Sequence, residues 1–440
     1  MEPYNPYLSI DDRRPGDPRT LSWLPINCLL YADDVALVGR ADEIQKLLLG
    51  AEIHSRLLGY QWNPAKCEVL NAPTDYRFTL YGNELPTCTV FRYLGIPFTK
   101  SGIDPDLLMR HSNDKAVNSM LSLRNCGVHM YGFGLAPALR AYKIFVRPII
   151  EYGLAILHLT RKGLTEAERS QGRCLRLCLR RNPASPVGTI QVAVLAALPC
   201  IYTRARTLQA KFLFRAEKLP DDTLLKCMIP QLQAHHSKTT WVKLRRNVLW
   251  KEAHKLRDRV DPPKDPIHEA LRLAQQRDID ALLNQKNPLV TIERGLRLPV
   301  WDPVLLLPCT NLERHRLVKW RIAWLPPTYS DPPIVCQCTQ LKPNREHFRT
   351  CRLTSAAMDN LVLALRPYPP PDMHPVDYAL NLLPRQVPSR FGLWINMWQR
   401  LLVVLHQIDQ ATSVDTFEPE PPPGALLLAA YNKKRKQKHS

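Results

Sequence analysis

The 440-residue chain carries 60 Lys and Arg against 40 Asp and Glu, which gives a formal net charge of +20 and a pI near 9.6. Its 45% hydrophobic content is enough for a large core in two or three domains. A membrane span needs about 18 consecutive apolar residues, and no apolar run in the sequence approaches that length. Twelve spread-out cysteines argue against a disulfide scaffold, and the positive charge favours a polyanionic partner, nucleic acid before a membrane surface.

The first predicted element is a hairpin that carries two acids. Residues 1–20 are rich in Pro, Asp and Arg and indicate an irregular lead-in, after which two β-prone runs flank Ala32-Asp33-Asp34. Adjacent carboxylates are tolerated where water or a divalent cation neutralises them, and such hard oxygen ligands suit Mg²⁺. The pattern therefore predicts a magnesium-binding tip at Asp33 and Asp34 or, alternatively, a solvated turn of an ordinary hairpin.

A helix is predicted next. Asp42 and Gln45 resemble a capping box, and Gly59 occupies the position of a C-cap glycine. Apolar residues recur at helical spacing at Ile44, Leu47, Leu48 and Ala51. This stripe is expected to pack beneath the hairpin.

Two further positions lie downstream of that helix. Lys66 enters a loop or strand, where it is either a phosphate-neutralising cation or a surface lysine. Short strands then lead to Tyr93-Leu94-Gly95. A glycine after an aromatic-Leu pair permits a tight turn that a nucleic-acid backbone can approach closely, whereas the alternative is an ordinary hairpin with a buried Tyr93.

Residues 104–219 predict mostly helix, with breaks at three glycines and at Pro148. Arg173, Arg176 and Arg180 stand at i, i+3 and i+7 and therefore predict one cationic face. Such a face either contacts nucleic-acid phosphates or simply faces water. Cys174 and Cys178 are expected to be small apolar core residues.

Residues 221–300 are polar and charged with leucines at helical intervals, and they predict a helical linker or an extension of the preceding helices. Cations and indoles alternate between Arg314 and Trp324. That mixture suits single-stranded nucleic acid, because bases stack on indoles while cations contact phosphate. A helix with buried Trp and solvated Arg has the same pattern, so both interpretations stay open.

A Cys/His cluster follows at Cys336, Cys338, His347 and Cys351. Three thiolates and one imidazole match a closed, tetrahedral, structural Zn²⁺ site, and His-x₃-Cys places the last two ligands one helical turn apart. The alternative is unliganded cysteine. Pro-rich stretches at 367–375 and 418–423 then bracket a predicted helical cap. The basic run 433–438 indicates either a nuclear-import signal or a solvated tail. A nuclear rather than cytoplasmic location is therefore favoured.

Several of these segments resemble motifs of reverse transcriptases from non-LTR, LINE-type retrotransposons. Tyr31-Ala32-Asp33-Asp34 resembles their metal-binding motif, and Gly59 with Asn63-Pro64-Ala65-Lys66 resembles the next polymerase motif. Phe91-Arg92-Tyr93-Leu94-Gly95-Ile96 is similar to the primer-grip turn. Residues 147–153 resemble the thumb segment, and the cluster near Cys336 resembles the C-terminal zinc-binding region.

The resemblance implies an α+β fold class: a partial reverse-transcriptase palm, made of an antiparallel hairpin with a packing helix, then a mainly α-helical thumb and a small zinc-binding C-terminal region. The implied domains, in order, are the partial palm (1–100), the helical thumb (101–220), a helical linker or extension (221–300), a basic region with the CCHC zinc-binding cluster (301–360), and a Pro-rich, helical tail with a basic C-terminus (361–440).

The implied activity is RNA-directed DNA synthesis by two Mg²⁺ ions, with an RNA template, a DNA primer and deoxynucleoside triphosphates as partners. The implied roles are a principal metal ligand at Asp33, a secondary carboxylate at Asp34, a cation near the pyrophosphate at Lys66, a primer grip at Tyr93, Leu94 and Gly95, and duplex contacts at Arg173, Arg176 and Arg180.

In that family another catalytic Asp, a nucleotide-selecting helix and the fingers precede the hairpin. We therefore expect this chain to be an N-terminally truncated and inactive copy, because half of a metal site cannot hold two Mg²⁺ ions in register. The alternative, from a different class, is a noncatalytic nucleic-acid-binding protein that was derived from a retrotransposon and keeps the basic helices and the zinc cluster.

Overall fold

The computed structural model describes residues 28–184, 189–234, 239–286, 293–295, 298–326, 334–384, 392–412 and 420–436. The protein is a mixed α+β molecule, mostly helical, with small sheets, so the predicted α+β class is confirmed at that level. The chain divides into two compact units, each drawn from three stretches of sequence. Unit 1 comprises Met1–Asp114, Glu151–Ala167 and Ala205–Ile267, and unit 2 comprises Lys115–Ile150, Glu168–Arg204 and His268–Ser440.

The described strands all lie in unit 1 and are short. They are β1 (Cys28–Tyr31), β2 (Asp34–Leu37), β3 (Val69–Leu70), β4 (Thr79–Leu80), β5 (Asn83–Glu84), β6 (Thr87–Cys88), β7 (Phe91–Tyr93), β8 (Ile96–Thr99) and β9 (Gly102–Ile103). β1 pairs with β2, β4 with β5, and β7 with β8 and β8 with β9, all antiparallel, whereas β3 and β6 pair in parallel.

The helices that the structure describes, in chain order, are α1 (Ala41–Leu58), α2 (Pro105–Asn125), α3 (Leu135–Ala141), α4 (Arg147–Glu151), α5 (Arg161–Cys178), α6 (Ile190–Leu195), α7 (Ile201–Glu217), α8 (Leu224–Ala234), α9 (Thr240–Arg245), α10 (Val248–Arg257), α11 (Pro266–Leu283), α12 (Asn311–Arg321), α13 (His347–Thr350), α14 (Ser355–Ala364), α15 (Pro375–Asn381), α16 (Gly392–Thr412) and α17 (Ala425–Lys436). Short 3₁₀ turns span Pro64–Lys66 and Pro303–Leu305.

The helix predicted after the hairpin is present as α1, and its apolar stripe lies in the first core of unit 1. Leu48 is buried there, Ile44 packs against the cluster, and Leu37 of β2 joins it. The other buried members of this core are Val69, Phe78, Leu80 and Leu85. The predicted packing of α1 against the hairpin strand is therefore confirmed through these side chains.

The C-terminal cap of α1 is the predicted one, whereas the contacts at its N-terminus differ from the prediction. Gly59 caps the C-terminus with a left-handed φ of 74°, as predicted. The predicted Asp42–Gln45 capping box is wrong, because the Glu43 carboxylate accepts the backbone N–H of Arg40 at 2.8 Å instead. Gln45 is used elsewhere: its amide pairs with the backbone of Thr79, at 3.0 Å to the N–H and 3.1 Å to the carbonyl.

The helix expected to break at Pro148 continues through it. A π-helical segment, Tyr142–Val146, joins α3 to α4, and the Arg147 backbone N–H bonds the Tyr142 carbonyl. Pro148 has no N–H to donate and its ring crowds the preceding turn, which a widened turn relieves. The chain therefore bulges at this point and stays helical.

A second core of unit 1 lies among α7, α8, α9 and α10. Its buried residues are Leu213, Ala216, Trp241 and Leu244. Asn247 begins α10 by accepting the backbone N–H groups of Leu249 and Trp250, and it also donates to the carbonyl of Arg206 on α7 at 2.9 Å. The segment predicted as a linker or extension thus contributes packed helices to unit 1.

Unit 2 is organised around α12. This helix buries Leu317, Val318 and Trp320 and packs against α16, which in turn packs against α14. The largest fully buried side chains of the described part of unit 2 include Trp320, Trp398 and Phe348. Among the residues that the structure describes, no helix is both long and apolar enough to cross a membrane.

Candidate metal centre and hairpin turns

The predicted carboxylate hairpin is present. Tyr31 pairs with Asp34 across the strands, so the turn consists of Ala32 and Asp33. Ala32 adopts a left-handed φ of 52°, a conformation that glycine usually occupies in such a turn. Asp33 therefore lies at the tip and Asp34 begins β2, and both side chains are exposed.

The two acids fit the oxygen chemistry of Mg²⁺, but they form only part of a cage. Mg²⁺ is usually bound through one or two carboxylates together with substrate phosphates. Within the described ranges, the only group of three or more His, Cys, Asp or Glu placed to hold a metal is the Cys/His cluster of unit 2. Asp33 and Asp34 thus have no third described acid with which to share a second ion.

Lys66 ends the 3₁₀ turn Pro64–Lys66 and is exposed. Asn63 holds this turn by accepting the Ala65 backbone N–H at 3.0 Å. The Asn-Pro-Ala-Lys segment therefore forms a defined local structure that presents the lysine to solvent. Its proposed role near a pyrophosphate stays a prediction.

The turn at Tyr93-Leu94-Gly95 is the second hairpin tip of unit 1. Tyr93 pairs with Ile96, and both turn residues have positive φ, 50° at Leu94 and 77° at Gly95. Glycine accepts this conformation at no steric cost, whereas Leu94 is strained. Tyr93 is half-buried, so the structure leaves part of it accessible.

A residue that the sequence analysis did not single out holds this turn. The Tyr152 hydroxyl donates a hydrogen bond to the Leu94 carbonyl. A Cβ added at Gly95 would lie 3.6 Å from the Tyr152 ring, so ring and turn are in close contact. Tyr152 lies in the 147–153 segment, whose resemblance to the thumb segment is the sequence signal for its importance. The sequence does not predict its contact with Leu94, because the two residues are 58 positions apart.

We expect Tyr152→Phe to loosen the Leu94-Gly95 turn. The variant removes one hydrogen bond, worth about 1 kcal/mol, and leaves a strained turn without its support. Backbone amides of Tyr93–Thr99 should then exchange with deuterium faster, as measured by mass spectrometry. Tyr131→Phe is the control, since Tyr131 is also exposed and lies in unit 2. Unchanged exchange in Tyr152→Phe would contradict this role.

The predicted cationic face is corrected at one position. α5 ends at Cys178, and Arg180 lies in the following turn with a left-handed φ of 58°. The Arg181 backbone N–H bonds the Arg176 carbonyl at 2.8 Å, which closes the helix before Arg180 could continue it. Arg173 is half-buried and Arg176 donates to the Pro183 carbonyl at 2.8 Å. Their role in phosphate contact stays a prediction.

The cysteines of α5 are core residues, as expected. Cys174 and Cys178 are fully buried, and burial raises the pKa of the Cys174 thiol to about 12. Both are therefore protonated at neutral pH and act as small apolar side chains.

At Arg316, Trp320 and Arg321 neither interpretation of the Arg314–Trp324 segment holds, because these two arginines are buried together with the Trp320 indole. Arg316 is 3% exposed and Arg321 is 4% exposed. Each is paired with carboxylates: Arg316 with Asp409 at 2.8 Å, and Arg321 with Asp302 at 2.9 Å. These side chains are therefore committed to the interior of unit 2.

The Trp320 indole of this segment is held in the same way, whereas Trp324 is half-buried. The Trp320 Nε1–H donates to Asp377 at 2.8 Å, and the Arg345 guanidinium lies 4.4 Å from the Trp320 ring centroid. Arg345 also contacts Asp377 at 3.2 Å. Part of the alternation of cations and indoles, at Arg316, Trp320 and Arg321, thus encodes a buried ionic network, which leaves no stacking surface at Trp320.

The predicted Cys/His cluster is assembled in unit 2. One ligand atom from each of Cys336, Cys338, His347 and Cys351 lies within 4.8 Å of all the others. The Cys336 and Cys351 sulfurs are 3.9 Å apart, and the Cys338 sulfur is 3.4 Å from His347 Nε2. Tetrahedral zinc requires about 3.8 Å between two sulfurs and about 3.6 Å between sulfur and nitrogen, given its usual bond lengths.

Local structure explains how these ligands converge. Cys336 and Cys338 lie on a tight turn, closed by the Cys336 backbone N–H to the Gln340 carbonyl at 2.9 Å. His347 begins α13, where Asn344 caps its N–H at 2.9 Å, and Cys351 ends it. The turn and the short helix thus present two ligands each.

The protonation of the cluster is compatible with metal ligation. Burial raises the pKa of the Cys336 thiol to about 12, and burial lowers the pKa of His347, which favours the neutral ring that binds metals. The backbone N–H of Gln340 lowers the pKa of Cys338. A bound cation would displace the remaining thiol protons, so affinity should rise with pH. The cluster can therefore hold a metal ion.

Comparison with protein families, with characterised proteins and with solved structures finds no match for this chain.

Proposed function

We propose that this chain is the palm-end, thumb and zinc-region part of a reverse transcriptase of a non-LTR retrotransposon. The observation that carries the proposal is the contact of Tyr152 with the Leu94-Gly95 turn. Two segments that resemble this family separately, the primer-grip turn and the 147–153 segment, therefore meet in space within unit 1. The carboxylate hairpin, with Asp33 at its tip, lies in the same unit.

In this proposal, Asp33 and Asp34 would hold Mg²⁺ as one half of a two-ion centre, and the metal would supply activation of the primer 3′-hydroxyl and neutralisation of the charge on the phosphates. Lys66 neutralises the departing pyrophosphate. The Leu94-Gly95 turn orients the primer end, because Gly95 is exposed at a hairpin tip and Tyr152 holds the turn in place. RNA template, DNA primer and deoxynucleoside triphosphates are the partners.

The Cys/His cluster is proposed to hold Zn²⁺ in a structural role. All four positions are filled by protein side chains, which is typical of structural rather than catalytic zinc. The basic run 433–438 supports a nuclear location; α17 carries it as far as Lys436, and the remainder lies outside the described residues.

A second candidate function is nucleic-acid binding without catalysis. It is favoured by the carboxylate hairpin itself, since Asp33 and Asp34 meet no third described acid that would complete a two-ion centre. The net charge of +20 supports binding to a polyanion in either case.

We expect the 440-residue protein to bind an RNA–DNA template–primer without extending it. Binding should weaken at least about tenfold between 50 and 200 mM KCl. Even three phosphate contacts release enough counterions to give a steep salt dependence. Fluorescence anisotropy measures binding, and gel electrophoresis with Mg²⁺ and nucleotides measures extension.

Primer extension by the unaltered protein and by Asp33→Asn separates catalysis from binding alone. If the protein extends the primer and Asp33→Asn does not, the chain is a polymerase in its own right. If neither extends it and both bind equally well, the noncatalytic function holds. Absence of template–primer binding by the unaltered protein would contradict both candidates.

A further inference from the structure

A loop of unit 2 presents two aromatic side chains at the surface. The loop, residues 126–134, joins α2 to α3 and carries Tyr131, which is 45% exposed, and Phe133, which is 64% exposed. The Phe133 ring lies beside the end of α2, since a Cβ added at Gly127 would be 3.7 Å from Phe133 Cε2. Both rings are therefore accessible to a partner.

Neighbouring helices hold this loop in place. The Met130 backbone N–H donates to the Cys178 carbonyl at the end of α5 at 2.8 Å, and the Asn311 amide of α12 donates to the Gly132 carbonyl at 3.1 Å. Because the loop is already ordered by these bonds, a partner that binds to its rings pays little conformational entropy.

Cations lie beside this loop. Burial and then the charges of Arg180 and Arg124 lower the pKa of His129, so these three groups are close together. Arg181 follows them, and its guanidinium lies 5.8 Å from the Trp324 ring centroid. Within the described ranges, none of the three arginines forms an ion pair. Cations that converge without an acid repel one another, and an anion bound between them relieves that repulsion.

The helix ends do not occupy these cations. A cation near a helix C-terminus is favoured by the helix dipole and can bond the last carbonyls. Here backbone N–H groups bond those carbonyls instead: Gly127 bonds the Arg124 carbonyl at 3.0 Å, and Arg181 bonds the Arg176 carbonyl at 2.8 Å. The guanidinium groups of Arg124 and Arg180 thus have no described acceptor and are left to meet an anionic partner.

We propose that this surface of unit 2 binds a single strand of nucleic acid. Phosphates meet the arginines, and unpaired bases stack on the exposed rings of Tyr131 and Phe133. A duplex keeps its paired bases inside and cannot use the rings, and an acidic peptide has no bases to stack. The inference rests on the proposed nucleic-acid binding and assigns it a surface apart from the hairpin turns of unit 1. The members of the surface are Arg124, His129, Tyr131, Phe133, Arg180 and Arg181.

The test uses the full chain and three fluorescent probes: a 12-nucleotide oligothymidine, a strand of twelve abasic sites with the same phosphates, and a blunt RNA–DNA duplex. Fluorescence anisotropy at several KCl concentrations measures the affinity and its salt dependence. We expect the abasic strand to bind at least about fivefold more weakly than oligothymidine, since it offers no base to stack.

One set of variants tests the stacking. Phe133→Leu should weaken oligothymidine binding by about fivefold or more and leave duplex binding unchanged, since only unpaired bases reach the ring. Phe133→Tyr keeps a ring and should bind as the unaltered protein does. Phe145→Leu is the matched control, because Phe145 is 65% exposed and lies in unit 2 outside the loop.

A second set tests the charges. Each phosphate contact with a single strand contributes about 0.7 to the slope of log affinity against log salt, so Arg124→Gln with Arg180→Gln should reduce that slope by about 1.4. Phe133→Leu should leave the slope unchanged. Arg272→Gln with Lys286→Gln is the matched control, because it removes two exposed cations of unit 2 that are not members of the surface.

Four outcomes would overturn the inference. If both sets of variants bind oligothymidine as the unaltered protein does, the single strand binds elsewhere. If the abasic strand binds as tightly as oligothymidine, the surface attracts any polyanion and stacks no base. If a polyglutamate peptide binds in a Phe133-dependent manner and oligothymidine does not, the surface docks a protein. If the unaltered protein binds the duplex but no single strand, this inference alone fails, whereas binding of neither contradicts the proposed function as well.

Discussion

Cys351→Ser is expected to remove the metal from the purified protein and to unfold the region around α13. Cys351 is 3% exposed and its sulfur lies 3.9 Å from that of Cys336, so serine would leave a buried gap in the ligand set. Structural zinc contributes about 10–16 kcal/mol of apparent binding free energy in small zinc domains. Zinc should fall from about one per chain to near zero, as measured by elemental analysis.

The loss should spread to α16. The Gln337 backbone N–H donates to the Ala411 carbonyl at 3.0 Å, and its side chain donates to the Gln410 carbonyl at 3.1 Å, so the ligand-bearing turn is tied to the end of that helix. Amide hydrogen exchange at the end of α16 should therefore be faster in Cys351→Ser, and chelator treatment of the unaltered protein should have the same effect. Cys126→Ser, at an exposed cysteine of unit 2, should retain zinc. If the unaltered protein contains no zinc after purification from cells grown with zinc, the proposed zinc site is wrong.

Arg316→Met is expected to destabilise the protein by about 3–5 kcal/mol, because it leaves two carboxylates buried beside each other without their cation. Arg316 contacts Asp409 at 2.8 Å and Glu420 at 2.7 Å, and these carboxylates are 15% and 12% exposed. The free energy of unfolding from urea titration measures this loss.

The matched control is Arg272→Met. Arg272 pairs with Glu269 in an exposed i, i+3 contact, and such pairs contribute little, so the change should stay within about 0.5 kcal/mol. Replacing Arg316, Asp409 and Glu420 together by apolar residues should recover much of the loss, because no charge is then left unpaired. If Arg316→Met and Arg272→Met cost the same, the buried network does not stabilise unit 2.

The pH dependence gives a second readout of the same contact. The hydrogen bond from Arg316 lowers the pKa of Glu420. The stability that this contact contributes is therefore present above the ordinary Glu pKa and is lost as the pH falls through the lowered pKa. In Arg316→Met the Glu420 carboxylate has lost this hydrogen bond, so the loss of stability below the ordinary Glu pKa should be reduced. The two proteins should therefore differ in slope below the ordinary Glu pKa, where the unaltered protein loses this contribution.

The sequence by itself determined the features that depend on neighbouring residues. Gly59 ends α1, and the Tyr31–Asp34 and Tyr93–Ile96 pairs close two-residue turns. The Cys/His ligand set was also predicted, because a turn and a short helix fix the spacing of its members. In each case backbone geometry over a few residues decides the outcome, so the local pattern is sufficient.

Only the tertiary structure decided where charged and aromatic side chains go. The alternation of Arg and Trp in α12 has the same pattern in a nucleic-acid surface and in a buried network. What distinguishes them is the acids at Asp377, Asp409 and Glu420, which lie 57 to 104 residues from their partners in the chain. A charge can be buried when an opposite charge meets it, and that meeting is set by the packing of distant helices. The same holds for Tyr152 and Leu94, whose contact no local pattern contains.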